Sequence, residues 1–150
     1  MADLTLTLTE SLNLNGYDQG GTSTKIITGI TESSKRIVRL FDTVDTTLLE
    51  FGTTLGSGKF LTDNVKYVRI TNLGKNEEVI NVSLGSGTDG GSGEVIIDLE
   101  PGYFFVLSKV DDVFEVFESG GTPTTSLDVN TIKAKSELSS VDLEIFVASG

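Results

Sequence analysis

Four pairs of acidic residues come nearest, by type and spacing, to catalytic or metal-binding chemistry. A glycosidase needs two carboxyl groups roughly 5–9.5 Å apart, one with a pKa raised by apolar surroundings, and carboxylate-rich turns can also bind Ca²⁺. No segment fits the D-x-[DN]-x-[DN]-G loop, however, and the chain has no Trp to serve as a sugar platform. We interpret the pairs as solvated charge and predict no catalytic residue and no metal site. The pairs are Asp42/Asp45, Glu77/Glu78, Asp98/Glu100 and Asp111/Asp112.

Two glycine-rich segments resemble phosphate-binding loops. The segment Gly85–Gly90 matches G-x-G-x-x-G, but that motif works by placing a pyrophosphate at a helix N-terminus, and strand-forming residues follow it here. The segment from Gly52 to Lys59 has one residue too many between its glycines, and Phe60 stands where Ser or Thr would bind Mg²⁺. We therefore interpret both segments as loops and predict no nucleotide cofactor.

The amino-acid composition excludes several further classes of function. The 150 residues include no Cys and no His, which excludes disulfides, thiol nucleophiles, imidazole bases and Cys/His zinc sites. Eleven Lys and Arg against 22 Asp and Glu give a net charge of −11, so the basic footprint of a nucleic-acid-binding protein is missing. No apolar run approaches the roughly 18 residues that span a bilayer, and residues 1–10 lack a secretory signal pattern. We predict a non-enzymatic chain with no cofactor, no nucleic-acid partner and no membrane partner.

Alternation of apolar and polar residues with a period of two runs along nearly the whole chain and predicts strands. The five leucines from Leu4 to Leu14 share one face opposite threonines, and Asn15-Gly16 supplies the two positive-φ residues of a tight hairpin turn. Short strands at intervals of about 8–12 residues, separated by glycine, are typical of a sandwich or a barrel. We predict one domain over residues 1–150, an all-β antiparallel β-sandwich of about ten short strands, either jelly-roll or immunoglobulin-like. The further predicted strands are Lys25–Ile30, Arg36–Phe41, Thr47–Phe51, Val65–Leu73, Glu78–Leu84, Glu94–Leu99, Tyr103–Leu107, Val113–Phe117, Asp128–Lys135 and Val141–Ala148.

Two of these strands have a weaker helical alternative. Ser33–Val44 could form a short apolar helical stripe, and Lys133–Leu138 contains residues that favour helix. Their flanks are rich in Thr and Val, which favours strands. The alternation in Val141–Ala148 places Leu143, Ile145 and Val147 on one face, so we expect this segment to be tied into a sheet.

The run Tyr103–Leu107 is apolar on both faces of its predicted strand. Such a strand is covered either by a loop of its own chain or by a neighbouring subunit, and the segment Val113–Phe117 has the same character. The candidate interface residues are Tyr103, Phe105, Leu107, Val113 and Phe117. The basic residues Lys35, Arg36 and Arg39 are interpreted as charges that protect an edge strand or as contacts to an acidic partner.

Four segments share a style of short Thr- and Gly-rich strands: Leu4–Thr9, Lys66–Leu73, Pro101–Leu107 and Asp142–Gly150. Together they resemble the small auxiliary virion proteins of tailed bacteriophages, among them the capsid decoration (cement) proteins. The resemblance has no diagnostic motif. It implies a virion protein, synthesised in the host cytoplasm, that stabilises the phage head through inter-subunit contacts.

The resemblance also implies partners. These are the chain itself, as a homotrimer or homodimer, and the major capsid protein or another virion protein. An alternative is a carbohydrate- or receptor-binding β-sandwich at a phage tail or fibre base, in which Tyr17, Tyr67 or Tyr103 is an exposed stacking platform and loop aspartates bind Ca²⁺.

Overall fold

The structure, a computed structural model, describes residues 1–52, 59–61, 63–75, 77–85, 94–108, 115–117 and 126–150. Within these residues all regular structure is β-strand, and the segments with a helical alternative form strands β5 and β14. Ten strands have five residues or more, and five shorter pieces bring the number to fifteen. The strands are β1 (Ala2–Glu10), β2 (Asn13–Leu14), β3 (Tyr17–Asp18), β4 (Gly21–Ile30), β5 (Glu32–Leu40), β6 (Thr46–Gly52), β7 (Lys59–Leu61), β8 (Val65–Asn72), β9 (Ile80–Gly85), β10 (Glu94–Leu99), β11 (Phe104–Ser108), β12 (Glu115–Phe117), β13 (Ser126–Asp128), β14 (Thr131–Ser136) and β15 (Val141–Ser149).

Nine strands form two sheets that pack face to face, which confirms the predicted antiparallel β-sandwich. The five-stranded sheet has the order β10-β9-β14-β6-β7 and the four-stranded sheet the order β11-β8-β15-β5. All neighbours are antiparallel except β6 and β7. The pairs are nested along the chain: β5 with β15, β6 with β14, β8 with β11 and β9 with β10. This folding of one long hairpin into two sheets is the jelly-roll arrangement, so the jelly-roll alternative holds and the immunoglobulin-like one does not.

The core lies between the two sheets and explains the alternation seen in the sequence. Strand β15 is an inner strand that pairs with β5 on one side and β8 on the other. Its residues Leu143, Ile145 and Val147 are all buried, as predicted. The remaining core side chains that are fully buried include Leu40, Leu48, Leu49, Val65, Val68, Ile70, Ile80, Val82, Ile132 and Ala134.

One buried polar residue joins the ends of four strands. Asn72, the last residue of β8, has no exposed surface. Its Nδ2 donates to the backbone carbonyls of Glu78 (2.7 Å) and Leu99 (2.8 Å), and its Oδ1 accepts from the N–H of Gly74 (2.7 Å). Its backbone also bonds to Tyr103 and Gly102, each at 3.0 Å. Every hydrogen-bonding group of this buried residue is therefore used, as burial requires.

A two-stranded ribbon forms a third layer outside the four-stranded sheet. It consists of residues 2–30, in which β1 pairs with β4, and β2 with β3 at the tip. Asn15 and Gly16 have φ values of 54° and 81°, so the predicted hairpin turn is confirmed. The base of the ribbon packs on the outer face of the four-stranded sheet in a second apolar cluster. That cluster contains Leu4, Leu6, Ile27, Ile30, Tyr67, Phe146 and Ala148.

Candidate interaction surface

Two of the five predicted interface residues lie in β11, and both face the core. Phe105 and Leu107 lie opposite Ile70 and Val68 of β8 and pack against the core between the sheets. Tyr103, just before the strand, is exposed over 67% of its surface. Val113 lies outside the described residues, and for Phe117 the structure describes the backbone, in β12. The strand predicted at Tyr103–Leu107 is therefore present, but two of the predicted interface residues, Phe105 and Leu107, pack against the core of the chain itself.

The outward-facing residues of β11 are Phe104 and Val106, which the sequence analysis did not select. They lie opposite Thr71 and Arg69 of β8 and are 58% and 37% exposed. Alternation along the strand shows that these two residues share a face, but it does not tell which face is covered. The face that is available to a partner is the one carrying Phe104 and Val106.

A groove of about 740 Å³ runs between the base of the ribbon and this part of β11. Residues 5–8 of β1 form one wall, and Phe104 and Val106 form the other. The floor is the outer face of the four-stranded sheet, formed by Tyr67, Arg69, Thr71 and Glu144. The groove exists because the ribbon covers only part of that face.

The charges on the floor of the groove neutralise one another. Glu144 accepts a hydrogen bond from Arg69 (2.6 Å) and forms an ion pair with Lys35 (3.0 Å). These contacts, that of Lys35 first, hold the pKa of the Glu144 carboxyl below its usual value despite partial burial. The Arg69 guanidinium also lies 6.0 Å from the ring centroid of Phe146. The groove is thus walled partly by apolar side chains and carries little net charge on its floor.

The basic residues of β5 lie at an edge of the four-stranded sheet, as one of the two interpretations expected. Lys35 and Arg39 point outward and pair with Glu144 and Asp142 of β15, the latter at 3.3 Å. Arg36 points inward and donates to the backbone carbonyl of Leu48 on β6. In this structure the three residues protect an edge and join strands within the chain.

The ribbon beyond its base is exposed on both faces. From Thr7 to Ile26 every residue except Gly20 is exposed, including five large apolar side chains. Such a two-stranded ribbon gains little stability of its own in water. The five side chains are Leu8, Leu12, Leu14, Tyr17 and Ile26.

The three tyrosines of the glycan alternative are not equivalent. Tyr67 is buried under the ribbon, with its ring 5.9 Å from that of Phe146, and burial raises its pKa. It therefore cannot be a stacking platform, which corrects that part of the alternative. Tyr17 at the tip of the ribbon and Tyr103 are 72% and 67% exposed.

The acidic pairs have structural neighbours where the structure describes them. Asp98 accepts from Asn81 (2.7 Å), and Glu78 accepts from the N–H of Lys75 (2.8 Å). Among the described residues no group of three or more acidic side chains could hold a metal ion. Asp111 and Asp112, positions 86–90 of the first glycine-rich segment and positions 53–58 of the second lie outside those residues.

The described residues contain no helix long and apolar enough to cross a membrane. Comparison of the chain with protein-family models, with curated proteins and with solved structures finds no match. The ribbon, the groove and the outward side of β11 together form the candidate interaction surface of the described residues.

Proposed function

We propose that this chain is a non-enzymatic structural protein of a virus particle, a decoration protein that stabilises the head of a tailed bacteriophage. The observation that carries the proposal is the apolar surface next to the groove. Phe104 and Val106 are exposed on a sheet whose other face packs against the core, and the ribbon carries five more exposed apolar side chains. Exposed apolar surface that extends over neighbouring elements marks an interaction site.

The physical role follows from where such a surface can bind. A protein that binds the assembled shell and not its separated subunits stabilises the shell by mass action. Many copies, each with a weak contact, together have a large effect through effective concentration. A net charge of −11 suits a position outside the shell, away from packaged DNA. The jelly-roll architecture occurs in both viral capsid and lectin domains, so the fold by itself does not distinguish a decoration protein from a glycan-binding protein.

A second candidate is glycan or receptor binding at a tail or fibre base. The exposed rings of Tyr17 and Tyr103 favour it, since aromatic faces stack on sugars and both rings are open to solvent. In this case the chain would bind glycans in a screen, and replacing both tyrosines by Ala would abolish that binding while Phe104→Ser left it unchanged.

The decoration proposal is tested by mixing the purified chain with undecorated phage heads and sedimenting the particles. We expect the chain to co-sediment with the heads and to raise the temperature at which they release DNA. Truncating a central interface aromatic typically costs about 2 kcal/mol, so Phe104→Ser should weaken binding roughly thirtyfold. Ile96→Ser is the matched control, because Ile96 is an equally exposed apolar residue on the five-stranded sheet.

Absence of binding to any head would overturn the proposal. Equal loss of binding in Phe104→Ser and Ile96→Ser would also contradict it, because the interaction surface would then not include the outward side of β11.

A further inference from the structure

The free edge of β1 is an open sheet edge without the protection seen at β5. Within the described residues β1 pairs with β4 alone. Between Asp3 and Glu10 it consists of three Leu-Thr repeats and carries no charge and no proline. Proteins usually protect such edges with charges, prolines or bulges, as the basic residues of β5 illustrate. An uncharged, strictly alternating edge is a template for another strand.

The direction of the backbone groups on this edge follows from the pairing of the ribbon. In an antiparallel pair the hydrogen-bonded positions alternate, and the N–H of Gln19 donates to the carbonyl of Leu12 (2.7 Å). The same register extends to the base of the ribbon, where Leu4 lies opposite Ile27. Even-numbered residues of β1 therefore bond to β4, while the N–H and C=O groups of Thr5, Thr7 and Thr9 point away from it.

The opposite edge of the ribbon differs at its base. Between Gly21 and Ile27 the even-numbered residues of β4 point away from β1 by the same alternation. At the register shift that follows Ile27, the carbonyl of Thr28 accepts a hydrogen bond from Lys66 Nζ at 2.9 Å. The free edge of β4 is thus capped by a lysine at its base. The free edge of β1 instead faces the groove, because residues 5–8 form one of the groove walls.

We propose that the groove is occupied by β1 of a second copy of this chain, paired antiparallel with β1 through the free edges of both strands. The two ribbons then form one four-stranded sheet, β4-β1-β1-β4, around a two-fold axis. Each partner strand runs along the groove, between β1 and the wall formed by Phe104 and Val106 of the other copy. The inference rests on the proposed function in treating this surface as an interaction site. It assigns the groove to the second copy and leaves the outward side of Phe104 to the shell.

Charge and sequence pattern both favour a second copy as the occupant. Two chains that each carry −11 repel each other, and Leu4–Thr9 is a surface where they can meet without adding charge. An alternating strand is also self-complementary in an antiparallel pair. Leu lies opposite Leu on the groove side and Thr opposite Thr on the outer side in every register that keeps the faces aligned. The two-fold arrangement uses the same patch on both copies.

The first test is the mass of the chain in solution, measured by light scattering after size-exclusion chromatography. We expect a mass of two chains for the natural sequence. Thr7→Pro removes an N–H that points into the partner and leaves the pairing with β4 intact, so it should raise the dimer dissociation constant roughly tenfold or more. Thr24→Pro is the matched control, because Thr24 lies opposite Thr7 and points to the other edge of the ribbon. It should remain a dimer, and circular dichroism should show the same strand content in both variants.

A second test uses the absence of cysteine from the chain. The single variants Thr5→Cys, Thr7→Cys and Thr9→Cys are oxidised alone and in equimolar mixtures. In every register that pairs residues 5–9 of the two copies, at least one of these combinations places two thiols directly opposite each other, so a mild oxidant should give a disulfide-linked dimer. Ile96→Cys, on the five-stranded sheet, should stay unlinked under the same conditions. Failure of all three ribbon variants to cross-link would overturn the proposal.

Other outcomes also count against it. A mass of one chain, or of three, contradicts two-fold pairing of β1, and so does equal dissociation of the Thr7→Pro and Thr24→Pro variants. A dimer that binds no phage head leaves this inference standing and refutes the decoration proposal. A monomer that binds heads does the reverse.

Discussion

Replacing Asn72 by Leu should lower the free energy of unfolding by about 3–5 kcal/mol, although the two side chains are similar in size. Three hydrogen bonds end on the side chain of Asn72: those to the carbonyls of Glu78 and Leu99 and that from the N–H of Gly74. Each such bond contributes roughly 1 kcal/mol net, and a buried partner left without a bond costs about 1–3 kcal/mol more. The added apolar burial of Leu offsets part of this loss. A typical domain has a total stability of about 5–15 kcal/mol, so the variant is expected to be soluble but markedly weakened.

The measurement is urea-induced unfolding followed by circular dichroism, with the midpoint and slope compared between variants. Asn13→Leu is the control, because Asn13 is exposed in the ribbon and its replacement should change stability by no more than about 0.5 kcal/mol. Asn72→Asp adds a test of sign. The new carboxyl faces two carbonyls, which raises its pKa in the folded state, so this variant should regain stability as the pH falls.

Two results would refute this reasoning. One is a loss below about 1 kcal/mol for Asn72→Leu, which would mean that the carbonyls find other donors. The other is a stability of Asn72→Asp that falls with pH in parallel with the unsubstituted chain.

Three further outcomes follow from the packing and the ion pairs. Deleting Val141–Gly150 removes an inner strand whose buried side chains include Leu143, Ile145 and Val147, each worth roughly 1.5–3 kcal/mol, so the product should be insoluble or lack a cooperative melting transition. Glu144→Gln should be less stable than the unsubstituted chain at neutral pH. Lys35 helps to lower the folded-state pKa of Glu144. The stabilisation that ionised Glu144 gives the fold is therefore complete above the unfolded-state pKa and is lost as the pH falls through the folded-state pKa. The difference in urea midpoint between the two chains should vanish in acid. Gly74→Ala should cost about 1–3 kcal/mol in urea unfolding, since its Cβ would lie 2.7–2.9 Å from three side-chain atoms, whereas Gly21→Ala, with nothing within 4 Å, should be neutral.

Each of these outcomes has a clear contradiction. A soluble truncated chain with an unchanged melting temperature would show that β15 is not required for the fold. An acid-independent difference for Glu144→Gln would show that its ion pairs do not stabilise the fold. Equal changes in the free energy of unfolding for Gly74→Ala and Gly21→Ala would show that a Cβ at position 74 does not clash with its neighbours.

The strands were predictable because burial on one face repeats every two residues. Leu143, Ile145 and Val147 show this directly, since one face of β15 meets the core and the other carries the ion pairs of Glu144 and Asp142. The turn at Asn15 was predictable for a different reason, namely that few residues adopt positive φ. The period of two and the turn residues were thus sufficient to predict an all-β fold.

The pairing of the strands and the interaction surface depend on contacts that local patterns do not contain. Phe104 and Phe105 are identical neighbours, yet only long-range pairing decides that Phe105 meets the core and Phe104 meets solvent. Leu4 and Leu6 of the ribbon pack on the four-stranded sheet, but Leu8, two residues further along the same strand, is exposed. The burial of Asn72 could not be predicted from the sequence, because a single buried amide produces no periodic pattern.

The nested topology has a consequence for how the chain is made. Arg39 of β5 and Asp142 of β15 are 103 residues apart in sequence, so at ribosomal rates of about 5–20 residues per second β5 waits roughly 5–20 s for its neighbour. The same delay applies in part to β6 and β8, whose partners β14 and β15 are also synthesised late. During that interval the nascent strands present open edges to other nascent chains. Lys35 and Arg39 of β5, which later bind Glu144 and Asp142, keep the edge of β5 hydrated while translation proceeds. Their positive charges also repel the β5 edges of other nascent chains.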